Sequence, residues 1–292
     1  MQLLNPLSVN FPALQLARFR LSRKRPFVMG ICNVTPDSFS DGGKAKDLSK
    51  ALHHIENLIF EGADIIDVGG ESTRPGATPV SEQEEMDRVI PLLEIALQKF
   101  DVPFSLDTQK PAIMQAALEL KIDCLNDVNG FQALDALPVI KAADYAVYLC
   151  VMHKRGLIQA NYKDDLVEDL IPDINRFFLE RAEVFTQAGI SLDRVCWDPG
   201  FGFGKTREQN WRLLQDLHIL KKSFPQLLIG VSRKSMFESV TNSPPAKRQG
   251  VSVAAAISAA TQGVTIVRVH DVLHTVQALD VFSRLYDWSN IS

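Results

Sequence analysis

The 292-residue chain predicts an α/β fold, a single-domain (β/α)8 barrel behind a short N-terminal extension. Three observations lead there. Eight short apolar segments alternate with helical windows. Several of these segments are apolar without interruption, as strands of a parallel sheet covered by helices are. Each is bounded by turn chemistry, and most run into polar, glycine-punctuated motifs. Residues 26–292 suit one barrel of about 250 residues, with no Pro/Gly/Ser-rich linker dividing them, and residues 1–25 form the extension. Because a strand count does not demonstrate ring closure, a doubly wound open sheet is the competing architecture.

Strands are expected at 27–33, 64–69, 104–107, 124–127, 146–152, 195–198, 227–231 and 265–269. The first helical window, 48–61, places Ala51, Ile55, Leu58 and Ile59 on one face. The next, 81–100, opens with Ser81 and Glu84 at capping-box spacing and turns Val89, Leu92, Leu93 and Ala96 inward. Window 110–120 carries Pro111 in its first turn, where proline is tolerated. Further windows fall at 165–188, 208–222, 249–262 and 271–285. Alternation of this kind is the pattern of a barrel whose strand ends converge on one mouth.

Composition narrows the function classes. The chain is 46% hydrophobic and 23% charged, ordinary for a globular protein, and its net charge of −4 gives no support for a nucleic-acid partner. No apolar run approaches the roughly 18 residues needed to cross a bilayer, so no membrane partner is expected and a cytoplasmic location is. Cys32, Cys124, Cys150 and Cys196 include no CxxC pair and lie on or at the ends of strands. They read as reduced, mostly buried thiols, not as a zinc site. Arg18, Arg20, Arg23, Lys24 and Arg25 precede the first acidic residue, Asp37. A structural extension is the favoured reading of that basic start, and a mitochondrial transit segment is the alternative.

The motif after 195–198 invites a phosphate-loop reading, but Pro199 stands where a Walker A loop needs its first glycine. Asp198 is the informative residue there, alongside Asp107 and Asn126, each at a strand end. Two carboxylates and an amide in an apolar barrel are costly unless they meet hydrogen-bond donors. A planar, donor-rich heterocycle with an aminopyrimidine edge satisfies them; buried water and backbone partners are the plainer alternative. A cationic cluster lies beside them. Lys234 follows the seventh strand, and Arg268 and His270 end the eighth, where this fold often binds phosphate. The helix start near Ser235 adds backbone N–H groups. Asn33 ends the first strand, next to the eighth on closure, so Asn33, Arg268 and His270 can surround a polyanion with Mg²⁺ at the Asn carbonyl. The competing reading pairs Arg268 and His270 with Asp271. Loops 37–46 and 72–78 are rich in Ser, Gly, Pro and Thr, with Phe39 and Arg74 near their centres. They read as closing loops or as plain connections.

Seven motifs in order, at 33–43, 67–76, 105–111, 126–130, 198–205, 232–235 and 268–272, resemble those of the dihydropteroate synthase family. The resemblance spans residues 27 to about 280. It implies a barrel joining the methylene of 6-hydroxymethyl-7,8-dihydropterin diphosphate to the amine of 4-aminobenzoate, with 7,8-dihydropteroate and diphosphate as products. By the same resemblance, Asp107, Asn126, Asp198 and Lys234 hold the pterin, and Asn33, Arg268 and His270 hold the diphosphate, with Mg²⁺ at Asn33. Thr73, Arg74, Asp41 and Phe39 order around the diphosphate and the second substrate, while Ser235, Phe203 and Pro75 line the aminobenzoate site. The family is a sulfonamide target and usually a homodimer. Two positions depart from its pattern, the stretch His153-Lys154-Arg155 and Gln209. A pterin-binding methyltransferase barrel resembles the chain at Asp107, Asn126 and Asp198 but needs no diphosphate clamp, and a non-catalytic paralogue is the other rival.

Overall fold

The computed structural model of the protein describes residues 11–34, 44–72, 78–154 and 170–286. A hairpin of β1 (Leu14–Leu16) and β2 (Phe19–Leu21) precedes eight parallel strands. These are β3 (Phe27–Asn33), β4 (Ile65–Gly69), β5 (Phe104–Asp107), β6 (Cys124–Asp127), β7 (Tyr148–Met152), β8 (Val195–Asp198), β9 (Leu228–Ile229) and β10 (Ile266–Val269). They pair in the order β8-β7-β6-β5-β4-β3-β10-β9. A parallel bridge joins Trp197 to Leu227, and the Trp197 N–H donates to Gln226 O at 2.9 Å, so the outermost strands meet and the ring closes. The open sheet is excluded.

Helices α1 (Lys44–Phe60), α2 (Glu82–Lys99), α3 (Pro111–Glu119), α4 (Ala136–Ala142), α5 (Leu170–Gln187), α6 (Arg207–Gln215), α7 (Leu217–Ser223), α8 (Gln249–Ala260) and α9 (Val272–Tyr286) surround the ring. The continuous window expected at 208–222 is two helices. At Asp216 the N–H is shared between Arg212 O and Leu213 O, and the break lets Leu217 and Leu220 turn back toward the core. The short α4 escapes the helical pattern because seven residues carry barely two turns, too few for an apolar periodicity to show. Ser81 caps α2 by accepting the Glu84 N–H at 3.2 Å, but the Glu84 carboxylate pairs with Arg88, so the expected reciprocal box is half formed. The complete box is at Thr206 and Gln209.

Inside the ring, alternate side chains climb from an apolar floor to a polar mouth. Phe27, Met29, Ile65, Cys124, Tyr148, Cys150, Cys196, Leu228 and Ile266 form one buried cluster, separate from the strand–helix core. Side chains of a strand alternate faces, so residues two positions further on share that interior. Those residues are Asp67, Asn126, Asp198 and Arg268. Leu14 and Leu16 of the hairpin complete the floor. Basic residues of the extension fasten it: Arg23 and Arg25 pair with Asp64 at 2.8 and 2.7 Å, and Arg25 also reaches Asp280 at 2.8 Å. All four cysteines are buried free thiols; three belong to the floor, whereas Cys32 faces the helices. Burial and the nearby Asp67 push the Cys32 thiol up to about 12.

Candidate active site

The ladder register gathers the polar strand ends at one level. Asn33 pairs with Gly69, Gly69 with Asp107, Asp107 with Asn126, and Met152 with Asp198. Asp198 opens a tight turn. Its Oδ1 accepts the Gly200 N–H at 2.7 Å, and Gly200 has φ +70°. A Cβ at Gly200 would fall 2.0 Å from His153 O, so this turn requires glycine. Lys205 stabilises it by donating to Gly200 O at 2.8 Å, Phe203 O at 3.2 Å and His153 O at 3.3 Å. Its ammonium thus serves the loop, in agreement with the failed Walker A match.

Arg268 lies at the centre. Its Nε donates to Asp67 Oδ2 at 2.6 Å and its Nη2 to Asp107 Oδ2 at 2.7 Å. Asn126 Nδ2 approaches Asp67 Oδ2 at 3.4 Å. The pairing of Arg268 with Asp271 is overturned, because Asp271 is held by Arg233 through contacts of 2.6 and 3.0 Å. His270 instead meets Ser232 Oγ at 3.2 Å through Nδ1. Lys234 lies over the Phe203 ring, 4.6 Å from its centroid, which brings together the lysine expected at the pterin and a residue expected beside the aminobenzoate. The helix start expected near Ser235 is that of a 3₁₀ helix of five residues, Ser235–Ser239.

Asn33, Asp107, Asn126, Asp198 and Arg268 on the strands, and Lys234 and His270 in the segments that follow them, therefore share one mouth. Phe39, Asp41, Thr73, Arg74 and Pro75 lie outside the described residues. The stem of the second loop is described. Glu71 Oε1 accepts the Val80 N–H at 3.0 Å, and Lys110 donates to Glu71 and Val80 O at 2.9 and 2.8 Å and to Glu85. Sequence reasoning gave no role to Asp67, Ser232 or Arg233, and offered Asp271 only as a partner of Arg268 and His270. For Asp67 a signal existed, a carboxylate amid the apolar residues of Ile65–Gly69. The others depend on contacts between loops.

Burial pushes Asp107 up to about 7, opposed by Arg268 and reinforced by Asp67, Asp127 and Glu85. Burial likewise pushes Asp198 up to about 6 against the Gly200 N–H, Lys234, Arg268 and Lys205. A carboxylate that accepts hydrogen bonds from a ligand loses acceptor capacity on protonation. Binding of a diphosphate-free hydroxymethylpterin should weaken as pH falls from about 7 through about 6, measured by calorimetry. The stability contribution of the two groups has the opposite sign. Their folded values exceed the ordinary carboxylate value of about 4, so the folded state holds more protons than the unfolded in that window. That contribution is present at low pH and lost as pH rises through about 6 and then about 7. Affinity unchanged from about pH 5 to 8 would refute the assignment of these carboxylates to the ring.

The sequence pattern of the family described as pterin binding enzyme matches residues 29–270. The dihydropteroate synthase of Escherichia coli strain K12 is 43% identical over 261 residues, covering 89% of this chain and 92% of that protein. The chain belongs to the dihydropteroate synthase family. Among solved dihydropteroate synthases, the Yersinia pestis enzyme in a sulfonamide drug complex is 43% identical with a TM-score of 0.86, covering 94% of this chain and 99% of that one. The Xanthomonas albilineans dihydropteroate synthase with 4-aminobenzoic acid is 41% identical with a TM-score of 0.87, covering 95% and 99%. The Burkholderia cenocepacia dihydropteroate synthase complexed with 7,8-dihydropteroate is 40% identical with a TM-score of 0.83, covering 96% and 98%. At the position where this chain departs from the common dihydropteroate synthase pattern with glutamine, Gln209 closes the capping box of α6. His153 is buried with its ring Nε2 3.5 Å from Asp173, and its backbone N–H donates to Asp198 O at 2.8 Å.

Proposed function

We propose that this mouth performs the dihydropteroate synthase reaction, joining 6-hydroxymethyl-7,8-dihydropterin diphosphate to 4-aminobenzoate by dissociative substitution at the pterin methylene. The observation that carries the reading is the buried, acceptor-rich layer of Asp67, Asp107, Asn126 and Asp198 beneath Lys234 and Arg268. Among the described residues, Asp67 Oδ1 and Asn126 Oδ1 are buried with no hydrogen bond. A pterin edge, with its ring N–H and amino donors, suits such acceptors.

Asp107, Asn126 and Asp198 orient the ring, and Lys234 packs above it. The C–O bond breaks with its electron pair leaving on the diphosphate. The cation that develops at the methylene spreads into the ring, where the carboxylates stabilise it by preorganised charge. The neutral aromatic amine then forms the N–C bond and loses its proton to solvent, so no covalent enzyme intermediate is formed. Arg268 and His270 offset the charge of the diphosphate, and Ser235 and Phe203 border the aminobenzoate.

Asn33 suits a magnesium ion that arrives with the diphosphate, because the chain supplies one neutral amide oxygen there. Such an ion takes most of its oxygen ligands from phosphate and water. When bound, the ion would offset charge on the departing diphosphate. A homodimer belongs to the same proposal, on the resemblance of the motifs to those of the family. A cytoplasmic location is supported by the four free thiols. No described helix is long and apolar enough to cross a membrane.

The purified chain, given both substrates and magnesium, should release one diphosphate per 7,8-dihydropteroate formed. Absence of product under these conditions, or a side chain trapped with a pterin attached, would overturn the reaction or its mechanism respectively.

A further inference from the structure

The β9–β10 ladder is short, with Leu228 opposite Ile266 and Ile229 opposite Val267. The same offset reappears beyond the strand ends, carried by side chains. Ser232 Oγ accepts the His270 N–H at 3.2 Å and meets His270 Nδ1 at 3.2 Å. One position on, Arg233 grips Asp271 with Nε at 3.0 Å and Nη2 at 2.6 Å. Consecutive residues of one loop are thus matched to consecutive residues of the next, in the register of the strands below them.

Arg233 occupies a left-handed conformation, φ +61°, which a side chain disfavours. Its surroundings hold it there from three directions. Its N–H donates to Ser252 Oγ at 2.9 Å, and its carbonyl accepts from Arg248 Nη1 at 3.3 Å. Arg248, itself buried, also donates to Lys234 O at 3.1 Å and to Ser243 O at 2.8 Å. The third hold is the side-chain fork on Asp271. Glycine adopts this backbone at no steric cost, so an arginine here needs another reason. Strain of this kind persists where surrounding structure over-determines it.

We propose that the Arg233–Asp271 pair is a positioning clamp that aligns the two halves of the site, Lys234 on the pterin side and His270 on the diphosphate side. The proposal rests on the reaction assigned above and deepens it. Arg233 and Asp271 act here through their sequence neighbours, Lys234 and His270, and are positioning residues. A bidentate fork fixes direction as well as distance, which a point charge does not. Because the tie spans two loops, losing either partner releases both sides together.

The test uses the full chain and three variants, Arg233→Gly, Asp271→Asn and the double variant. Calorimetry measures affinity for inorganic diphosphate and, separately, for diphosphate-free hydroxymethylpterin. Neither measurement needs turnover. Arg233→Gly relieves the backbone, so its melting temperature should stay within a few degrees of the parent, yet both affinities should fall about tenfold. Asp271→Asn should reproduce the paired loss, and the double variant should lose no more than either alone, the signature of two groups acting as one unit. If Arg233→Gly binds both ligands like the parent, loses only one of them, or shows losses that multiply in the double variant, the clamp is refuted. Should Arg233→Gly fail to fold, Asp271→Asn decides alone by the same paired criterion. A parent chain that makes no dihydropteroate refutes the assigned reaction, while the two affinities still judge the clamp.

Discussion

Asp198→Asn should lower kcat/KM for the pterin diphosphate by about 10²–10³-fold, the usual cost of removing one preorganised group that meets developing charge. The substitution preserves volume, and an amide oxygen can still accept the Gly200 N–H that Asp198 now holds at 2.7 Å. The turn at Gly200 and the anchor at Lys205 should survive, so the melting temperature should change little. What changes is the charge and the acceptor count of a buried strand end. An amide NH₂ set against a ring N–H opposes two donors, and a neutral group cannot stabilise a cation spreading into the ring. Steady-state kinetics with both substrates, run beside thermal melting, separate this outcome from misfolding. Unaltered turnover would remove Asp198 from the ring-recognition role.

Arg268→Ala should be damaging for a different reason. Arg268 neutralises Asp67 and Asp107 at 2.6 and 2.7 Å, and its own side chain is only 15% exposed. Removing one partner of a buried ion pair leaves uncompensated charge, at a cost of about 3–5 kcal/mol. For a chain of this size that corresponds to a melting temperature lower by on the order of 10 °C. Asp107, which Arg268 now helps to keep ionised, should then ionise less readily, so use of the pterin ring and of the diphosphate should fall together. Reading the sequence alone suggested a loss mainly on the diphosphate side. Combining Arg268→Ala with Asp67→Asn should restore part of the lost stability, since one uncompensated charge is removed. A single variant that melts like the parent, or a double variant that is no better than Arg268→Ala, would show that this triad does not hold the mouth together.

Local chemistry explains why so much of the fold was legible. The run Val195–Asp198 is buried at every position, and its apolar residues stop where the Asp-Pro-Gly turn begins. The capping residue Ser81 and the first-turn Pro111 mark helix starts by backbone chemistry confined to a few residues. The hairpin Leu14–Leu21 was not legible as a hairpin. Its two strands are three residues each, and Leu14 and Leu16 find their apolar partners only on strands far along the chain. The basic extension could be recognised as structural, but its acceptors, Asp64, Asp123 and Asp280, could not be named.

Residue types and spacing along the chain determined the alternation of strands and helices, the polar strand ends and the candidate pterin and diphosphate residues. The alternation and the polar strand ends follow from periodicity and turn chemistry, which act over a few positions, whereas the pterin and diphosphate assignments follow from the resemblance of the motifs to those of the family. Only the tertiary structure decided which charges compensate which. Arg268 chose Asp67 and Asp107 over its sequence neighbour Asp271, and Asp271 chose Arg233. Alternate side chains on a strand face opposite sides, so Arg268 points into the ring while Asp271, beyond the strand end, stays with the neighbouring loop. Closure brings distant carboxylates within hydrogen-bond reach, and at such burial the nearest opposite charge dominates over proximity in sequence.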